Sequence, residues 1–298
     1  MAGCITHIRI ARTLLDDSSS PWVVARNQPE CFLLGANAPD FGSFPGGHFI
    51  LSDCAHLVRP ADLVRNLFSL SNSDVERAFA LGWLTHVIAD VILHPVVNRE
   101  VGRRLGMDRE VSFVEDPAMH IRVEFGFDAF TVEPKILPYP RVSTAKLEPI
   151  AGLLSRAYQA TYGVPFEQPL QIASCSALNR YAPWLISLAR MHRRAERARY
   201  SPASWVLRAL RQTLAIASAD VRIQAHADPL RPGTLYTEEM ESGIAQTVEE
   251  CRRHAANQLV ALENRNLDTG EPADASDTYP LTLKTKQLLG EWANPHPS

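Results

Sequence analysis

The sequence predicts an all-α fold. Apolar residues recur at helical spacing along most of the 298-residue chain, and strand-like alternation is never sustained. Clusters of Gly and Pro then separate the periodic stretches. In chain order these stretches are 6–16, 60–71, 73–94, 114–130, 145–162, 168–190, 201–219 and 236–264. The third is the best marked. "SDVERAFALGWLTHVIADVILHPVV" follows an Asn or Ser cap candidate, carries acids in its first turn and reads as one long helix. Pro95 disfavours α geometry at His94, so this helix is expected to end or bend there. "GANAPDFGSFPGGHF" (35–49) and "TVEPKILPYPRVS" (131–143) read as loops, and "NLDTGEPADASDTYP" (266–280) as a polar connector to the C-terminal tail. There is no internal repeat.

With 46% hydrophobic residues the chain can bury a sizeable core, and a net charge of −3 gives no global pull toward nucleic acid or an anionic membrane. No apolar run approaches the roughly 18 residues of a membrane span, and "MAGCITHIRIARTLL" lacks the pattern of a secretory signal. The expectation is a cytoplasmic protein with no nucleic-acid partner and no stable membrane insertion. Five scattered cysteines (4, 31, 54, 175, 251) suggest reduced thiols rather than a disulfide framework or a zinc ribbon. The basic run "RMHRRAERARY" (190–200) could meet a phosphate, but reads better as a solvated helix face paired to Glu196.

Chemistry gathers in the first 130 residues, which hold six of the ten histidines: 7, 48, 56, 86, 94 and 120. In "THVIADVILHP", His86 and Asp90 are four apart, offset by about 40° and about 6 Å along a helix, so both can reach one ion. His94 is about 12 Å beyond His86 and implies a second ion. "HIRVE" repeats the spacing with His120 and Glu124. An uncompensated buried carboxylate costs several kcal/mol unless paired, hydrogen-bonded or metal-bound, which leaves ligation and a hydrogen-bonded core role both open for this stripe. Asp40 stands in "APD", and "SDCAH" offers Asp53, His56 and a possible soft ligand in Cys54, which reads more simply as a small buried residue. Imidazole nitrogen with carboxylate oxygen suits zinc, manganese or iron, and zinc is expected, as two or three ions per chain. Several ions in one cleft lower the pKa of bound water toward about 7 and stabilise charge on attacked and leaving oxygens, which is hydrolytic chemistry, most naturally at phosphorus.

The order His7, "GANAPD", "SDCAH", "THVIADVILHP", "HIRVE" resembles the zinc-dependent phospholipase C family, which is related to fungal single-strand-specific nucleases. The resemblance spans roughly residues 4–130. It implies an all-α domain with a trinuclear zinc site that hydrolyses phosphodiesters. Asp40, His56, His86 and Asp90 would hold one zinc, and His94, His120 and Glu124 another. Asp90 would bridge to a third, which His7 also binds. His56 is preferred to His48 because it stands further past Asp40, nearer the family's interval. Secreted relatives complete the third site with an N-terminal tryptophan. This chain has none near its start, so the amine and carbonyl of Ala2, exposed by removal of Met1, are the expected substitute, with Cys4 an alternative.

The organisation expected is one domain over 1–298, with a metal-binding core (1–130), a helical remainder (145–265) and a connector and tail (266–298). The function expected is hydrolysis of a lipid or small-molecule phosphodiester by metal-bound hydroxide, with Asp40 orienting or deprotonating the water. An HD-type phosphohydrolase would need an adjacent His-Asp pair, which the sequence lacks. A catalytically divergent helical protein that keeps metals for a biosynthetic or interaction role is the remaining alternative.

Overall fold

The computed structural model describes residues 3–19, 21–131, 141–163, 166–197, 221–256 and 262–270. Among them there are helices and no β-strands: α1 (Cys4–Leu15), α2 (Trp22–Asn27), α3 (Pro29–Gly35), a 3-10 helix (Ala38–Ser43), α4 (Phe49–Leu57), α5 (Pro60–Ser69), α6 (Asp74–Arg104), α7 (Pro117–Thr131), α8 (Thr144–Tyr162), α9 (Gln168–Arg197), α10 (Val221–Ala227) and α11 (Thr234–Ala256). Periodicity missed α2, α3 and α4, each nine residues or fewer and too short to show a stripe. The stretch 201–219 lies outside the described residues.

α6 is the axle of the fold, packed against α1, α2, α3, α5, α7, α8 and α11. Ser73 caps it by accepting from the Glu76 amide, while the Glu76 carboxylate turns back to the Asn72 amide at 2.7 Å. The helix does not end at Pro95. It continues to Arg104, because one lost backbone bond is tolerable where neighbouring elements pack against the helix. By length and composition α6 is long and apolar enough to cross a membrane, contrary to the reading of the apolar runs. Its apolar window is 83% buried inside the molecule, as in a core helix.

Two glycines set the contact between α3 and α6. A Cβ on Gly35 would lie 2.1 Å from the Phe79 carbonyl oxygen, and one on Gly82 would lie 2.1 Å from that of Phe32. The backbones therefore touch, which no residue with a side chain would permit. Around this crossing Phe32, Phe41, Phe79, Trp83 and Tyr158 fill the core, with Trp83 edge-on to both Phe41 and Tyr158.

Two surface expectations change. Residues 190–197 belong to α9, but His192 and Ala195 are buried, so this is not a uniformly solvated face; the side chain of Glu196 lies outside the described residues. The start of the expected connector is not a surface segment either. Asn266, Leu267 and Asp268 are buried, while residues 271–298 lie outside the described residues.

Candidate metal centre

α6 presents His86, Asp90 and His94 inward from three successive turns, and all three are 0–1% exposed. Asp90 stands between two groups of ligands. Its Oδ2 is 3.0 Å from His86 Nε2 and 3.4 Å from His56 Nε2; its Oδ1 is 3.2 Å from His7 Nε2 and 3.6 Å from His94 Nε2. Three sets converge closely enough to share an ion: Asp40, His56 and His86; His7, His86 and Asp90; His94, His120 and Glu124. The eight ligands that the resemblance implies thus meet in one place.

The 3-10 helix and α4 supply Asp40 and His56, whose Oδ1 and Nε2 are 3.2 Å apart. Asp40 stands in that helix rather than in an irregular loop, held by its amide to the Asn37 carbonyl and by the Gly42 amide to Ser52 Oγ. α7 supplies His120 and Glu124, with His120 Nε2 to Glu124 Oε1 at 2.9 Å and His94 Nε2 to the same oxygen at 3.4 Å. α1 supplies His7, stacked on His86 at 4.0 Å between ring centroids.

The side chain of His48 is exposed at the start of α4, so geometry selects His56. Asp53 is half-buried and joins none of the three sets. Cys54 is buried and also outside them, its thiol pushed up to about 12 by burial and then by Asp53. Burial, then Asp128 and Asp40, hold Cys4 well above the ordinary thiol range. The expected Ala2 ligand lies outside the described residues.

The ring nitrogens turned away from the centre explain the orientation of the others. His56 Nδ1 meets the Ser52 carbonyl at 2.7 Å, one turn back in α4. His86 Nδ1 meets the Ala36 carbonyl at 3.0 Å, an acceptor placed by the glycine contact between α3 and α6. His94 Nδ1 meets the Leu267 carbonyl. Each Nδ1 is engaged by a carbonyl on its outward side, which turns each Nε2 toward the carboxylates. These carbonyls were not legible in the sequence, since any residue type can supply one.

Zinc fits this donor set. Bonds of about 2.0–2.1 Å in a tetrahedron place ligand atoms about 3.4 Å apart, and the imidazole–carboxylate separations run from 2.9 to 3.9 Å. Nδ1 of His7 and Nδ1 of His120 are buried without a protein hydrogen-bond partner, while Nε2 of His7, Nε2 of His94 and Oδ1 of Asp40 meet other members of the cluster. Orphaned buried polar atoms are costly, and convergent ones mark a cation site.

Electrostatics divides the ligands. Burial opposes charge on His56, but bonding to Asp40 and Asp90 overrides it and raises the ring to about 10. Burial lowers His94 to about 4 and His120 to about 3. Burial would raise Asp90, yet the surrounding imidazoles, His86 foremost, hold it well below the usual carboxylate range. Asp40 is lowered likewise against burial by His86 and His56, whereas burial raises Glu124.

A residue absent from the sequence reading anchors α1. Asp128, one turn beyond Glu124, accepts from the Ile5 and Thr6 amides at 3.0 and 2.9 Å and from Thr6 Oγ1 at 2.7 Å. It caps the turn that carries His7, and burial raises it to about 7.

A family model described as zinc-dependent phospholipase C matches residues 6–161, just over half of the chain. No curated protein and no solved structure matches it.

Proposed function

The chain belongs to the zinc-dependent phospholipase C family, and from that premise we propose that it is a zinc-dependent hydrolase whose substrate is a phosphodiester, either a lipid head group or a small molecule. The observation that carries the reading is Asp90, whose two oxygens face two separate groups of ligands. Zinc bound there supplies Lewis-acid polarisation of a phosphoryl oxygen and lowers the pKa of a coordinated water. The three carboxylates Asp40, Asp90 and Glu124 would not neutralise even two dications, leaving a net positive centre that draws in an anionic diester. Asp40 and His56 have the more exposed side chains among the ion-paired ligands, at 6% and 11%, so the substrate approaches from their side. Held as a carboxylate by the histidines, Asp40 accepts and orients the proton of the attacking water. The carbonyls of Ser52 and Ala36 keep His56 and His86 aimed inward throughout.

The test pairs elemental analysis with turnover. Purified protein should retain at least two zinc ions after dialysis and should hydrolyse a chromogenic phosphodiester, with activity lost to a chelator and restored by zinc. Release of phosphocholine from short-chain phosphatidylcholine would assign a lipid substrate, and turnover of the chromogenic diester alone a small molecule. Bound metal without turnover of either overturns the hydrolase reading in favour of a metal-stabilised binding protein.

A further inference from the structure

Residues 266–270 cross the metal centre from a part of the chain beyond the family match at 6–161. The Leu267 carbonyl accepts from His94 Nδ1, and the Leu267 amide donates to the His56 carbonyl at 3.0 Å. One residue thus touches a ligand residue of the Asp40, His56, His86 group and one of the His94, His120, Glu124 group, but only at His94 does it touch the ring. The turn that presents it is closed by Asn266, whose Oδ1 accepts from the Asp268 and Thr269 amides at 2.8 and 3.2 Å. Asp268 ties it down further. Its carboxylate accepts from the Phe113 amide at 2.9 Å, its carbonyl accepts from Asn98 Nδ2 at 2.6 Å, and Phe113 packs edge-on to the His120 ring.

Gly270 seats the far end against α6. Its φ is +74°, and a Cβ there would lie 2.9 Å from the Val91 carbonyl oxygen and 3.1 Å from Pro95 Cγ. The Val91 carbonyl is the acceptor that Pro95, lacking an N–H, leaves without its helical bond. The proline within α6 and the glycine in the turn therefore form one docking point, at the residue next to His94.

We infer that residues 266–270 are a positioning strap that aims His94 and thereby sets the zinc affinity of the His94, His120 and Glu124 group. This rests on the zinc reading above. His56 and His86 take their orienting carbonyls from within the matched region, whereas His94 depends on the strap. Loss of an outer partner of a ligating histidine costs about 10–100-fold in metal affinity.

The experiment is stepwise zinc titration against a competing chelator, with the visible spectrum of the cobalt-substituted protein, on full-length wild type, Asn266→Ala, Gly270→Ala and Glu124→Gln. Wild type is read first; absence of bound metal there refutes the zinc reading and not the strap. Given a metal-binding wild type, Asn266→Ala and Gly270→Ala should each weaken one ion by about 10–100-fold and leave the others unchanged. Their residual cobalt spectrum should match that of Glu124→Gln. Wild-type affinities in both strap variants overturn the inference. So does a loss spread evenly over all ions, which would mark general loosening, or failure of both variants to fold.

Discussion

Asp40 and His56, with 6% and 11% of their side chains exposed, and the fully buried His86 form an outer group, while His94, His120 and Glu124 form an inner one with no side chain more than 4% exposed. In the outer group two carboxylates press on His56 and raise it to about 10, so in metal-free protein at neutral pH that ring is protonated. In the inner group burial takes His94 to about 4 and His120 to about 3, leaving both neutral and ready to ligate. The two groups share the same chemistry but differ in what a cation must displace. The inner one accepts it without expelling a histidine proton, whereas the outer one must discharge His56 first.

The sharpest way to break this contrast is to remove the residue that stands between the groups. Asp90→Asn should weaken the outer ion and the ion held with His7 by more than about 100-fold, beyond what outer partners of a ligand are worth, while Glu124→Gln affects only the inner ion. Elemental analysis and stepwise titration measure this. Equal losses in the two variants would contradict the sharing of Asp90.

pH separates the groups next. One proton released on binding makes zinc affinity at the outer group fall about tenfold per pH unit below about 10, whereas the inner group should vary little until the pH nears 4. Competition titrations at a series of pH values test it. Metal-free stability follows the same groups with opposite signs. His94 and His120 are depressed, so between about 6.5 and 4 the unfolded chain binds more protons and stability falls with pH. His56 is raised, so its contribution is complete below about 6.5 and is lost as pH rises toward 10. Asp128, raised to about 7, offsets part of the acid-side loss, so urea unfolding of metal-free protein should show a maximum near pH 6.5 with a fall on either side. A flat profile would remove the distinction.

The smallest effect concerns His7. Asp128→Ala frees two amides in the first turn of α1 and should cost about 1 kcal/mol of stability, read as a lowered urea midpoint. It should also loosen the ion held with His7 without altering the inner group. Unchanged zinc stoichiometry and affinity would show that α1 is fixed by packing alone.

Helical period was legible in the sequence because it is local. Residues four apart share a face whatever the helix packs against, so His86 with Asp90, and His120 with Glu124, could be paired before any fold was known. The same rule placed His86 and His94 on different ions. Tertiary structure decided the rest. Local propensity ends a helix near Pro95, yet packing against the neighbouring elements carries α6 to Arg104. Asp40 and both candidate histidines, His48 and His56, stand on short elements whose direction depends on the 3-10 helix and Ser52. Asp128 meets α1 across 122 residues, and Leu267 meets His94 across 173. Such contacts leave no periodic trace, and a carbonyl acceptor leaves no residue type to notice. The sequence by itself determined which side chains can bind metal and which of them share a helix face. Only packing decided which backbone atoms aim them, because that depends on where distant segments come to rest.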